Sequence, residues 1–176
     1  MSGLAVTLLG TPTEVDVEQL ADVMVDCVDG GASVNFLRPL AADDAVRWWR
    51  AALADPHSLT WVARDDDGAI VGCVRLSLAQ QPNGRHRAEV GKLLVHRRAR
   101  GLGASRALLA ALEEQAAAVG RFRLVLDTET GSDAEHVYQR LGWSRVGEVP
   151  DFCLTADGDL ASTTYFTKGL AQPSGP

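Results

Sequence analysis

Apolar residues recur along this chain at two periods, and the change from one to the other marks its elements. Val6 to Leu9 reads as a short first strand. Asp16 to Val28 sets Leu20, Met24, Cys27 and Val28 on one helical face, and Gly30-Gly31 ends that helix. Ala32 to Leu40 is a loop of small residues with Phe36 and Leu37. Ala42 to Ala54 forms a second helix containing Trp48 and Trp49. Ser58 to Arg64 and Ala69 to Leu78 are β-rich runs joined by the hairpin signal Asp65-Asp66-Asp67-Gly68. Gln80 to Arg87, around Pro82-Asn83-Gly84, is a polar loop.

The second half is more regular. Ala88 to Val95 is a strand that runs into His96-Arg97-Arg98. A long amphipathic helix from Gly103 to Val119 buries Leu108, Leu109, Leu112 and Ala116. Arg121 to Thr128 is a strand, and Ser132 to Leu141 is a helix with Ser132 as its cap and Gly142 as its close. Ser144 to Val149 and Thr163 to Leu170 are the last strands. The pattern predicts an α/β domain over residues 1–170, with a mixed central sheet of about six or seven strands, flanking helices and a crossover helix. Residues 171–176 are expected to form a disordered tail.

Composition changes the picture in three places. A formal charge of -6 argues against general nucleic-acid binding, which needs a basic face. Yet Arg85, Arg87, Lys92, Arg97, Arg98, Arg100 and Arg106 crowd one central stretch, as a solvated run or as an anion-seeking patch. Cys27, Cys73 and Cys153 are odd in number and lack metal-ligand spacing, so reduced core cysteines and no metal are expected. Met1 to Gly10 has no signal-peptide pattern, and no apolar run approaches the roughly 20 residues of a membrane span. A cytoplasmic protein with no membrane partner is the expectation, as a monomer or a homodimer.

The most informative segment is Arg98-Ala99-Arg100-Gly101-Leu102-Gly103-Ala104-Ser105, between a strand and a helix. Small residues allow close backbone approach, and free N–H groups at a helix start suit a pyrophosphate. A dinucleotide fingerprint is excluded because Arg106 stands where the third glycine belongs, and a Walker loop because no Gly-Lys-Ser/Thr is present. Taken alone, the turn could still be an ordinary strand-to-helix connection.

With these residues in view, Val95 to Leu109 resembles the acetyl-CoA-binding segment of GNAT-type N-acetyltransferases. Arg98, Gly101 and Gly103 fill the fixed positions of that motif. Ala134-Glu135-His136-Val137-Tyr138-Gln139-Arg140-Leu141-Gly142-Trp143 is similar to the family's helix, with a tyrosine four residues before a Gly-aromatic pair. The resemblance covers roughly residues 60 to 170 and implies a GNAT fold, with acetyl-CoA as cosubstrate. Arg87-Ala88-Glu89-Val90, Lys92-Leu93-Leu94-Val95, Leu126-Asp127-Thr128, Thr163 to Lys168 and Gly31-Ala32-Ser33-Val34 look like the tabtoxin resistance branch. That branch implies an amino-acid-like or antibiotic-like amine as acceptor.

The resemblance implies a coenzyme site at Leu93, Leu94, Val95, Arg98, Arg100, Gly101, Gly103, Ala104 and Ser105. It also implies an oxyanion donor among the backbone N–H groups near Val95. Acetyl transfer needs a neutral amine, so a carboxylate that takes its proton is useful. Glu89 and Asp127 are the candidates, on predicted strands where burial would raise their pKa; pairing with an arginine is their structural alternative. Tyr138 is the candidate acid for the departing thiolate, or else a core aromatic. His96 and His136 are expected to be solvated. The acceptor is expected at Ser33, Asn35 and Phe36, with Trp48 or Trp49 as a wall and at least one tryptophan in the core. Two other functions fit the same motifs: a non-catalytic acyl-CoA-binding module, and a protein or peptide N-acetyltransferase.

Overall fold

The computed structural model describes residues 3–171, so most of the expected tail lies outside the described residues. Among them, seven strands form one mixed sheet: β1 (Ala5–Leu8), β2 (Ser58–Arg64), β3 (Ile70–Leu78), β4 (Arg87–Val95), β5 (Arg123–Glu129), β6 (Ser144–Leu154) and β7 (Leu160–Gly169). Their order is β1-β2-β3-β4-β5-β7-β6. Only β4 and β5 run parallel, and the crossover between them is α3 (Ala104–Ala118). The α/β reading with a crossover helix is borne out.

Each face of the sheet has its own apolar core. On one face α3 packs Leu108, Leu109, Leu112 and Ala116 against Ala88, Val90, Leu124, Leu126 and Phe166. Those four helix positions are the ones that the 3.6-residue period selects. On the other face α1 (Glu14–Asp29) and α2 (Ala42–Leu53) cover Val62, Cys73 and Leu94 with Leu20, Met24, Cys27 and Trp49. The helix α4 (Asp133–Arg140) adds Tyr138 to the α3 side.

Local chemistry explains where elements begin. The helix α1 starts two residues before the predicted Asp16 because Thr13 caps it. Asp16 N–H donates to Thr13 Oγ1 at 3.2 Å, and Thr13 N–H donates to Asp16 Oδ2 at 2.8 Å. Ser132 holds the cap position of α4, but its side chain makes no capping bond; its hydroxyl meets Thr128 Oγ1 at 3.3 Å instead. Gly142 closes α4 with a φ of 82°.

The last hairpin is longer than predicted. Pro150 and Asp151 look like the end of a strand, yet β6 continues to Leu154 and β7 begins at Leu160. Pairing slips between Val149 and Cys153, and Asp151 takes a φ of 51°. A bulge on an edge strand absorbs both residues, since the edge has no second neighbour to bond. The consequence reaches the loop between α1 and α2: Arg38 N–H donates to the Ala156 carbonyl at 2.8 Å, and Arg38 forms an ion pair with Asp157. The α1–α2 loop is thereby tied to the β6–β7 turn.

Asp16 also pairs with Arg64 at 2.5 Å, and its side chain is 11% exposed. Burial opposes its charge, but the Arg64 and Thr13 donors outweigh that and hold the carboxyl below its usual range. Its stabilisation is therefore complete above an unfolded pKa of about 4 and is lost as pH falls through the folded value. Asp16→Ala should cost about 1–3 kcal/mol in urea unfolding at pH 7. The deficit should shrink as the titration is carried below the unfolded pKa.

Candidate active site

The strands β4 and β5 pair for only three positions, Arg87 with Arg123, Ala88 with Leu124 and Glu89 with Val125. Beyond Glu89 they part, although β4 continues to Val95 beside β3. A bulge opens the fork: β3 advances from Arg75 to Cys73 while β4 advances from Gly91 to Leu94, and Lys92 takes a φ of 51°. Such a bulge bends its strand and strengthens the local twist.

The register shows which backbone groups the fork leaves free. His96 N–H donates to the Val71 carbonyl at 2.9 Å. In an antiparallel ladder adjacent residues turn their hydrogen-bonding groups to opposite sides. Leu94 therefore faces β3, and Val95 faces the fork. The Val95 carbonyl receives Cys27 Sγ at 3.5 Å and Arg100 Nε at 3.4 Å. Its N–H has no protein partner among the described residues.

The α3 N-terminus opens at the mouth of this fork. Gly103 caps α3 without a side-chain bond, with a φ of 82°, and Gly101 has a φ of 78°. A Cβ built at either glycine would meet no atom within 4 Å. After Arg100, whose N–H donates to Arg97, the next backbone donor used before the helical ladder is Ala107 N–H, to the Gly103 carbonyl. Uncapped N–H groups and the positive end of the helix dipole thus converge in open space.

The sequence profile of the Acetyltransferase (GNAT) family matches residues 27–143. This chain belongs to that family. An uncharacterized N-acetyltransferase in the hisH-hisA intergenic region of Azospirillum brasilense is 31% identical over 129 residues, covering 72% of this chain and 76% of that protein. Among solved structures, an N-acetyltransferase from Staphylococcus aureus Mu50 aligns with a TM-score of 0.79 at 18% identity, over 96% of this chain and 99% of that one. The Salmonella typhimurium protein yncA, solved with its cofactor acetyl-CoA, aligns at 0.76 and 19%, over 99% and 98%. The protein is an acetyl-CoA-dependent N-acetyltransferase with the GNAT fold.

The acetyltransferase's own residues fit a pyrophosphate at the cradle, because both glycines leave room for one and the first turn of α3 offers unused donors. Ala104 and Ser105 form that turn. The predicted arginine crowd divides. Arg85 and Arg87 lie at the far end of β4, nine residues long and therefore about 30 Å from end to end. Arg97 is held by Asp26 at 2.9 Å, and Arg98 reaches Asp65 at 3.4 Å. Arg100 and exposed Arg106 remain nearest the open donors. Leu93 borders the α3-side core, whereas Leu94 is buried on the other face at 2% exposure. Leu94 is thus withdrawn from the fork in both side chain and backbone, contrary to the expected coenzyme contact.

Glu89 and Asp127 share the sheet face covered in part by α1 and α2. Both are exposed, so the burial expected of them is absent. Among the described residues neither pairs with an arginine; Asp127 Oδ2 accepts from Thr163 Oγ1 at 2.9 Å. Tyr138 comes from the opposite face and is 6% exposed, packed on Trp143 and Phe166. Burial, with the Asp127 charge added, pushes its phenol well above the ordinary tyrosine range. It is a core aromatic by packing, though its hydroxyl is not among the sealed, unpartnered polar atoms.

The expected acceptor residues lie in the tied loop. Ser33 Oγ donates to the Leu154 carbonyl at 3.4 Å, Asn35 is exposed with a φ of 72°, and Phe36 meets Trp48 edge-on at 5.9 Å. Trp48 is half-buried and Trp49 lies in the core. Cys27 and Cys73 are free core thiols, but Cys153 is only half-buried, beside Ser33. His136 is exposed as expected. His96 is not solvated: its Nδ1 accepts from Arg98 N–H at 3.2 Å, and its Nε2 lies 3.6 Å from Asp26.

Sequence reasoning missed Arg75 and Tyr165 and gave Lys92 no role of its own. Tyr165 pairs with Asp127 across β5 and β7, and burial with the Asp127 and Glu89 charges raises its phenol. Alternation along β3 and β7 could have put these side chains on a common face, but only the sheet order and the β4 bulge bring them to one site.

Gly103→Ala tests the cradle. The φ of 82° makes alanine cost about 1–2 kcal/mol of stability. Its methyl also projects into the open space, so calorimetry should show acetyl-CoA affinity falling by about tenfold or more, as charge-assisted bonds are lost. Unchanged affinity would remove the cradle from the coenzyme site.

Proposed function

We propose that this acetyltransferase, acting as a single domain, moves acetyl from acetyl-CoA to a primary amine of an amino-acid-like or antibiotic-like small molecule. The carrying observation is the fork itself: an unpaired Val95 N–H beside the α3 cradle, with Glu89 and Asp127 exposed on the acceptor face. The bridge from Arg38 to Ala156 and Asp157 ties the loop of Ser33, Asn35 and Phe36 to the β6–β7 turn and supports a small acceptor over a protein chain. The likeness of its Glu89, Asp127 and Ser33 segments to the tabtoxin resistance branch supports the same choice. Three free cysteines fit the cytoplasmic address.

Acetyl-CoA supplies an activated thioester carbonyl. Val95 N–H meets the carbonyl oxygen as negative charge grows on it. Glu89 or Asp127 takes the amine proton, directly or through water, so that nitrogen can form its bond to carbon as the carbon–sulfur bond breaks. Tyr138 is protonated at neutral pH, as an ordinary phenol is and burial reinforces, and that is the state needed to donate to the departing sulfur. Arg100, with Gly101 to Ser105, holds the coenzyme's phosphates.

Coenzyme thiol release would be followed with amino acids, dipeptides, antibiotics and peptides, with blanks for the three cysteines. Release dependent on a small amine is expected; release with peptides alone would move the function to protein acetylation. Acetyl-CoA binding without release by any acceptor would favour the non-catalytic module. Glu89→Gln or Asp127→Asn, whichever removes the base, should lower kcat/KM by about 10²- to 10⁴-fold. Tyr138→Phe should lower kcat by at least about 10²-fold. Full activity in all three variants would overturn these roles.

A further inference from the structure

On the face that carries Glu89 and Asp127, β4 has a glycine at position 91, where an added Cβ would meet no atom within 4 Å. Glycine inside a strand marks a bulge or a close approach. The bulge follows it, and the side chains around it point to the approach as well. Arg75 pairs with Gly91 across β3, Lys92 follows it along β4, and Trp48 leans in from α2. Arg75 Cζ lies 5.6 Å from the Trp48 ring centroid, and Lys92 Nζ lies 5.1 Å from it. Two cations therefore share one aromatic ring.

Two cations against one ring call for a counter-charge, and the described residues provide none in contact. Among the described residues neither Arg75 nor Lys92 forms an ion pair. Arg75 gives Nη2 to the Ala52 carbonyl at 2.7 Å, while its buried Nε has no partner. Burial first, and then the Arg75 charge, hold the Lys92 ammonium below its usual range. Glu89 and Asp127 stand on the same face, near enough for Lys92 to feel both charges, yet neither is paired with a cation. The site thus keeps opposite charges apart and unneutralised.

We propose that the acceptor is a zwitterionic amino acid or a close analogue. Its carboxylate is received by Arg75 and Lys92 beside Trp48, over Gly91, and its amine faces Glu89 and Asp127. Arg75 and Lys92 are then specificity residues: they select an anionic group on the same small skeleton as the amine. Polycationic acceptors such as aminoglycosides and polyamines are disfavoured, because a second ammonium would meet two fixed positive charges in a half-buried setting. This rests on the reading of the protein as a small-amine acetyltransferase and chooses among the amines that reading allows.

The test compares each of the twenty encoded amino acids with its α-carboxamide, and adds spermidine and kanamycin, all by coenzyme thiol release. The free acid should be preferred over its amide by about tenfold or more in kcat/KM, since a charge-assisted contact is lost with the carboxylate. Arg75→Gln and Lys92→Gln should each bring that ratio toward one. A ratio measured on one enzyme preparation is insensitive to partial misfolding, and Lys92→Gln carries the test if Arg75→Gln does not fold. Equal use of acid and amide, or preference for spermidine or kanamycin, would overturn the proposal and leave the small-amine function standing. An acid preference that survives both substitutions would put the anion elsewhere and also overturn it. Binding of acetyl-CoA without turnover of any compound would overturn both.

Discussion

The parting of β4 from β5 is the constraint on which the rest of the site depends. A sheet has no free donors in its middle, because each central strand bonds to two neighbours. Here three residues of parallel pairing hold the base of the fork, and the bulge at Lys92 bends β4 away from its partner. The result is a donor, Val95 N–H, exposed in the centre of the sheet rather than at its edge. The α3 crossover that makes the parallel pairing possible also starts at the open end of the fork. One topological choice thus supplies both the open donors at the start of α3 and the free Val95 N–H.

The bulge has a second effect. It changes the alternation of β4, so that Ala88 and Val90 face α3 while Lys92 and Leu94 face α1 and α2. Without the extra residue, Lys92 would lie on the same face as Val90, inside the α3-side core. With it, a lysine joins Glu89 on the face toward α1 and α2 and reaches Trp48. A left-handed lysine costs about 1–2 kcal/mol of backbone strain, which the two flanking cores can offset.

The charges on that face differ in kind from the structural ion pairs. Asp16 and Arg64, Asp26 and Arg97, and Glu113 and Lys168 are neutralised in place and hold elements together. Arg75, Lys92, Glu89 and Asp127 carry opposite signs on one surface without pairing. Structural ion pairs cancel the cost of burial internally, whereas separated charges remain available to a ligand.

Periodicity alone determined much of this protein. Leu108, Leu109, Leu112 and Ala116 repeat at helical spacing, and they are the residues that α3 buries. The glycine turn was legible because backbone donors near small residues leave a trace in composition, as Gly101 and Gly103 do. Glu89 and Asp127 could be named from their strands, but their exposure could not, since burial depends on what the neighbouring elements cover. Lys92 read as one more positive charge in an arginine-rich run, because no local signal announces a bulge that turns it to the other face. Arg75, Trp48 and Tyr165 lie far from it in sequence, and their meeting depends on strand order, register and helix packing. Local patterns determined the elements and the anion cradle, whose chemistry lies within a few consecutive residues. The proposed acceptor site was decided only by the tertiary structure, because its charges come from three separate strands.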